Sequence, residues 1–288
     1  MERDREEPAG GSALVTRPVA ADWLTLRRAA DHQAREPTVP AVERIGAWLR
    51  GRLAADEAAL VIDLGAGTGS NQAWLAPRLA APQRWILLDH DAGLLNVSTT
   101  DLSEQAGTTR VVGTVDRLPE LLGSEVPALV TCAALLDLLS AREAALIAES
   151  VASRGAAALL SLTVTGEVSL TPEDGSDAVI ASAFDAHQRR KDLLGPDAAE
   201  AFASMLREAG AAAEVIETDW VLDASWPEFV GRYLTDRAQA AAEQDPDLSE
   251  TAQEWVRRRS EQLQRGELTV RVGHLDVVSI PEPPPAAG

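Results

Sequence analysis

Hydrophobic and polar positions change their period several times along this chain, and each change predicts an element. Residues 60–64, Leu-Val-Ile-Asp-Leu, are an almost unbroken aliphatic run, the pattern of a strand buried on both faces. Gly65, Gly67 and Gly69 follow at once, and Trp74, Leu75 and Leu79 then recur at helical spacing across residues 71–79. Aliphatic runs at 84–91, 110–117, 128–133 and 156–162 predict four more strands, and 214–222 with 267–280 predict a closing antiparallel pair. The expected architecture is an α/β, doubly wound, mostly parallel sheet of seven strands with one antiparallel strand near an edge.

Helical patterns precede and interrupt this alternation. Residues 21–35 predict one helix, and Pro37 and Pro40 set it apart from a second over 41–55, whose Val42, Ile45, Trp48, Leu49 and Leu53 form an apolar stripe. Two insertions follow. The first, 163–195, leaves the fifth strand through 163–166 and holds a helix over 177–190. The second, 226–266, holds two helices, the later one opened by Asp247 with Glu250 three residues on. The reading is one domain over 18–280 with a helical N-terminal cap at 18–57. The Gly- and Pro-bearing tails, 1–17 and 281–288, are expected to be disordered. Ligands of parallel sheets bind at the C-terminal strand ends, so the insertion after the fifth strand is placed to cover a substrate.

The glycine turn is the chemically informative feature. Without Cβ atoms, Gly65, Gly67 and Gly69 let the backbone bend sharply and lie against a ligand. A dinucleotide fingerprint has G-x-G-x-x-G, which brings helix N–H groups onto a pyrophosphate. Here the spacing is G-x-G-x-G, and Asp63 stands two residues ahead, where a carboxylate repels pyrophosphate and attracts a cationic ligand.

The run Asp63-Leu-Gly-Ala-Gly-Thr-Gly69 resembles, without a gap, the first motif of the class I S-adenosylmethionine-dependent methyltransferases. The resemblance implies the Rossmann-like methyltransferase fold and S-adenosylmethionine as cofactor. Asp63 would lie near its methionine amino end, and Gly65, Ala66, Gly67, Gly69 and Asn71 around the turn. Asp89, ending the next strand, would accept from the ribose hydroxyls, at the distance along the chain where an acid meets a ribose. In family terms Asp116 would accept from the adenine amino group, and Cys132 and the following residues would lie where cofactor and substrate meet, the Cys132 thiol itself being expected to be buried on its strand; His90, beside Asp89, would touch adenine or point to solvent. The activity implied is methyl transfer to a small-molecule acceptor. Two alternatives stay open: an NAD(P)-dependent oxidoreductase, and a non-catalytic cofactor-binding protein of the same fold.

Charge and the scarce residue types narrow the field. A formal charge of −19, with 45 acidic against 26 basic residues, argues against nucleic acid or an acidic membrane as partner. No apolar segment reaches membrane-spanning length and the first residues are charged, so a cytoplasmic location is expected, as a monomer or homodimer. A single cysteine and four dispersed histidines suggest no metal site. The seven tryptophans are scattered, and no single aromatic cage can be read from them.

For the transfer step, His187 on the first insertion is the first candidate general base, a surface or packing histidine being the plainer alternative. Asp137, after the fourth strand, would orient or deprotonate an acceptor, or cap the next helix. Arg189 would hold an acidic acceptor or pair with Asp185. His32 and His274 are expected at the surface.

Overall fold

The computed structural model describes residues 20–97, 107–123, 127–188 and 193–282. Residues 1–17, most of the expected C-terminal tail, and Arg189 lie outside the described residues. In chain order the elements are α1 (Ala21–Ala34), α2 (Val39–Arg50), β1 (Ala59–Leu64), α3 (Ser70–Leu75), β2 (Gln83–Asp89), α4 (Ala92–Val97), β3 (Thr108–Val112), α5 (Leu118–Leu122) and β4 (Ala128–Ala133). There follow α6 (Ala141–Arg154), β5 (Ala157–Thr171), α7 (Asp177–Gln188), α8 (Ala198–Glu208), β6 (Glu214–Glu217), β7 (Trp220–Leu222), α9 (Pro227–Gln244), α10 (Ser249–Gln264) and β8 (Thr269–Ser279).

The sheet runs β3-β2-β1-β4-β5-β8-β6, with β7 also paired to β8. β1 to β5 are mutually parallel, and β8 is antiparallel to β5, β6 and β7. This is the doubly wound, Rossmann-like arrangement. The chain winds one way from β1 to β3 and the other way from β4 to β5, so a crevice opens between the ends of β1 and β4, the switch point where open α/β sheets bind ligands.

Strand parity decides which side chains meet which layer. Leu60, Ile62 and Leu64 of β1 pack with residues of α5, α6 and α8 on one face. Ala59 and Val61 pack with Ile45 and Leu49 of α2, and Trp74 and Leu75 of α3, on the other. Asp63 shares the second parity and therefore comes to lie toward α3. A third apolar cluster joins β5, β7 and β8 to α1, α7, α9 and α10, and forms the cover over the crevice.

Several expected boundaries move. Pro37 falls in a 3-10 turn and Pro40 in the first turn of α2, positions where a missing N–H costs nothing, so the two prolines start helices rather than spacing them apart. The fifth strand does not end at residue 162. It runs to Thr171 along β8, through register shifts between Leu160 and Thr163 and between Val164 and Val168, and its second half alternates polar and apolar residues. The segment expected as one strand at 214–222 is two, β6 and β7. At the break, Thr218 N–H donates to the His274 carbonyl at 2.9 Å and Asp219 Oδ1 accepts the His274 N–H at 3.0 Å.

Asp276 holds this irregular corner together. Its buried carboxylate accepts from the Leu162 N–H at 2.8 Å and the Thr218 hydroxyl at 2.9 Å through one oxygen, and from the Thr38 hydroxyl at 2.8 Å through the other. The bulge of β5, the β6–β7 break and the α1–α2 junction are thereby fastened to one side chain. Asp247 does not cap α10. Asp245 accepts the Asp247 N–H and begins a 3-10 turn instead, while the capping box of the fold is Ser140 with Glu143 at α6.

Candidate cofactor and acceptor site

A cavity of about 380 Å³ lies over the C-terminal ends of the parallel strands, within the size range of small-molecule sites. One end is bounded by the glycine turn after β1, by Asp89, His90 and Asp91 after β2, and by Gly113, Thr114 and Val115 after β3. The other end is bounded by Asp137, by Leu162 and Val164 of β5, and by Phe184, Trp220, Tyr233, Arg237 and His274. α1 closes one side with Trp23, Leu24, Arg27 and His32, and Arg35 follows at its C-terminal end.

The turn needs its glycines. Gly65 and Gly67 have φ of +61° and +53°, and a Cβ on Gly65 would stand 3.0 Å from Leu135, one on Gly67 3.2 Å from Leu24. Backbone bonds fix the bend: Ala66 N–H reaches the Leu88 carbonyl at 3.1 Å, and Gly67 N–H donates to Asp89 Oδ2 at 2.8 Å. Asp89 Oδ1 accepts from Asp91 N–H at 2.9 Å, with His90 Nδ1 3.2 Å away. Each carboxylate oxygen keeps lone-pair capacity for a further donor.

Beneath the turn lies a buried polar chain. Asn71 donates through Nδ2 to Asp63 Oδ1 at 2.7 Å and to the Thr131 hydroxyl at 3.1 Å, while its carbonyl oxygen accepts from Arg35 Nη1 at 2.9 Å. Arg35 lies over the Trp74 ring, 3.8 Å from its centroid, and its Nε and Nη2 have no hydrogen-bond partner. Asp63 Oδ2 is likewise unpartnered. Burial pushes the Asp63 carboxyl up to about 7, partly opposed by the Asn71 hydrogen bond and by Arg35. Burial also lowers Arg35.

Of the residues expected from sequence, the structure brings Gly65, Ala66, Gly67, Asn71, Asp89, His90 and Asp137 to one cavity. Asp63 and Gly69 stand just behind its wall. Asp63 faces Asn71, and Gly69, with φ of +80°, is the left-handed residue that starts α3. Three expected contacts fall elsewhere. Cys132 has the parity of Val130 and packs in the α5–α6 core, where burial pushes its thiol up. Asp116 is exposed in a 3-10 turn beyond β3, accepting from the Thr114 hydroxyl at 3.3 Å, because β3 ends at Val112 and the wall there is Gly113 to Val115. His187 turns away from the cavity toward Glu243 of α9, its Nε2 3.4 Å from Oε2.

The sequence reading missed His274, Arg35, Arg237 and the aromatic cluster. His274 is buried rather than at the surface. It packs against Trp220 with ring centroids 4.6 Å apart, and Nδ1 is 3.0 Å from the Val272 carbonyl. A carbonyl only accepts, so Nδ1 carries the proton and Nε2 is the bare nitrogen of the neutral ring. Burial and Arg27 push His274 down to about 3. The signal was the alternation Val270, Val272, His274, which puts the histidine on the inner face of β8. His32 is half buried, with Nε2 3.1 Å from the Ser70 carbonyl. Asp137 does not cap α6, which Ser140 does. It is pushed up to about 6 by burial.

Trp220 meets Phe229 and Tyr233 edge-on and donates Nε1–H to Asp31 Oδ1 at 3.1 Å. Asp31 also pairs with Arg27 at 2.8 Å. Among the described residues no group of three or more His, Cys, Asp or Glu side chains is placed to hold a metal ion, and no helix is long and apolar enough to cross a membrane.

No family model and no curated protein sequence matches the chain. Solved structures are similar to it in fold. One is the cyclopropane synthase MmaA2 from Mycobacterium tuberculosis, with 11% identity and a TM-score of 0.46 over 90% of this chain and 94% of that one. Another is an O-methyltransferase family protein from Burkholderia thailandensis, with 16% identity and a TM-score of 0.42 over 85% of this chain and 57% of that one. A third is geranyl diphosphate methyltransferase in complex with S-adenosylmethionine, with 10% identity and a TM-score of 0.41 over 85% of each.

Proposed function

We propose that the chain is a class I S-adenosylmethionine-dependent methyltransferase acting on a small-molecule acceptor. The observation that carries this reading is the pairing of a side-chain-free turn with Asp89 at one end of a cavity whose other end is apolar and aromatic. The residues present fit the cofactor. Asp89 has acceptor capacity for ribose hydroxyls, and the backbone at Ala66 and Gly67 admits close approach. Arg35, with two unpartnered N–H groups, suits a carboxylate, and Asp63 polarises Asn71 toward an amino group. The cofactor supplies a methyl group on positively charged sulfur.

The chain's own contribution is positioning and proton management. α1, α7 and α9 cover a site where in-line alignment of two reactants is worth about 7–11 kcal/mol. His274 supplies a neutral nitrogen, Nε2, able to accept a hydrogen bond from an acceptor hydroxyl or amine and orient it, and Asp137, pushed up to about 6 by burial, is the acidic group on the same wall suited to take a proton as the acceptor is alkylated. The −19 charge supports a small acceptor over a polyanion.

Trp23 and Trp220 line the cavity, so their fluorescence reports its occupancy. Saturable change with S-adenosylmethionine, not displaced by NADH, is expected, together with transfer of labelled methyl from the cofactor to a small molecule in cell extract. A saturable response to NADH alone would overturn the reading.

A further inference from the structure

The acceptor end of the cavity contains a buried guanidinium with no salt-bridge partner among the described residues. Arg237 of α9 is 3% exposed. Its Nη1 donates to the Tyr233 hydroxyl at 3.1 Å, its guanidinium carbon lies 4.2 Å from the Phe184 ring centroid, and Nη2 has no hydrogen-bond partner. It makes no salt bridge among the described residues, nor does the buried Arg35 at the cofactor end, but two other arginines do. Arg27 pairs with Asp31, and the fully buried Arg259 pairs with Asp177. Burying a guanidinium without a counter-charge is costly, and a fold that retains one in a ligand cavity keeps an unfilled demand for an anion.

The surroundings define the rest of the ligand. Phe184, Tyr233 and Trp220 present aromatic surface, and Leu162, Val164 and Val272 present aliphatic surface, so most of the body in contact with this wall must be apolar. The anion must be weakly charged. Arg27 is already neutralised by Asp31 and Asp236 by Arg232, while Asp137 adds an acidic group to the same wall, so Arg237 offers a single positive charge that a dianion such as a phosphate monoester would exceed. A planar carboxylate matches the parallel N–H groups of a guanidinium and carries a single charge.

The geometry points to an acceptor that is a ring-bearing or similarly apolar monocarboxylate, with its carboxylate held by Arg237. This assignment deepens the methyl-transfer reading and rests on it for the word acceptor. The anion site itself stands on the cavity alone.

The test uses the full chain, with and without saturating S-adenosylhomocysteine, and the isosteric pair phenylacetate and phenylacetamide followed by calorimetry and ligand-observed NMR. Phenylacetate is expected to bind at least about tenfold more tightly than the neutral amide, as a charge-assisted pair gives. Arg237→Gln should erase that preference while leaving S-adenosylhomocysteine affinity unchanged, and Arg237→Lys should restore part of it. Equal binding of the pair, binding of neither, or a preference that persists in Arg237→Gln overturns the assignment. If Arg237→Gln does not fold, the wild-type preference and Arg237→Lys decide. Failure of S-adenosylhomocysteine to bind, with the phenylacetate preference intact, counts against the methyltransferase reading and leaves the anion site standing.

Discussion

Gly67 donates its backbone N–H to Asp89 Oδ2 at 2.8 Å, joining the turn after β1 to the end of β2. The carboxylate therefore shapes the turn before any ligand arrives, and its other oxygen orders the start of the next loop through Asp91. Removing it leaves two backbone donors to find new partners at a buried position. Asp89→Ala is expected to lower unfolding free energy by about 1–3 kcal/mol, and Asp89→Asn by less, because an amide carbonyl still accepts one bond. Urea denaturation checks the order. Equal stability of all three proteins would show that the clamp contributes nothing.

Gly67→Ala tests the bend from the other side. At φ of +53° an L-residue costs about 1–2 kcal/mol, and the added methyl would press on Leu24 of α1. Lower thermal stability and weaker cofactor binding are expected together. Gly155, also left-handed but with open space around it, should lose stability alone on conversion to Ala.

Turnover separates the two candidate histidines, His187 and His274. His274→Gln, which removes a neutral hydrogen-bond acceptor from the cavity wall, should lower kcat/KM by about tenfold with little change in cofactor affinity, whereas His187→Gln, altering a group turned toward Glu243, should leave turnover nearly unchanged. The reverse pattern in steady-state kinetics would restore the first candidate and exclude the second.

Asp63 ties stability to pH. Its folded pKa of about 7 lies above the roughly 3.9 of an unfolded aspartate, so between those values the native state holds the extra proton. The stability that the neutral carboxyl contributes is complete below about pH 4 and is lost as pH rises through 7. His274 acts oppositely. Folded at about 3 against roughly 6.5 unfolded, it makes the native state less stable as pH falls across that interval. Asp63→Asn removes the first effect alone, so its stability relative to wild type should climb between pH 4 and 8. A constant difference in denaturation midpoints would contradict the burial argument.

The parallel core was legible because its strands are short aliphatic runs and its turn is made of glycines, signals local to a few residues. Asp89 and Asn71 were legible for the same reason. The cover was not. β5 extends past residue 162 because β8 supplies an eleven-residue partner, whose paired residues lie from 98 to 112 positions away in the chain. The β6–β7 break is held by Asp276, whose role depends on three distant segments meeting. Cys132 and His274 show the same limit in opposite directions. Strand parity alone removes the first from the cavity and brings the second into it. Arg237 carries no local sign of its role, since a buried arginine on a helix reads like the exposed Arg257 until Phe184 and Tyr233 are placed around it.

The most direct test of the account is calorimetric titration of S-adenosylhomocysteine into wild-type protein and Asp89→Ala. One-site binding to the wild type, weakened at least about tenfold by loss of the charge-assisted acceptor in a variant that remains folded, is expected. Folded wild type that gives no heat, or Asp89→Ala that binds as tightly as wild type, would contradict it.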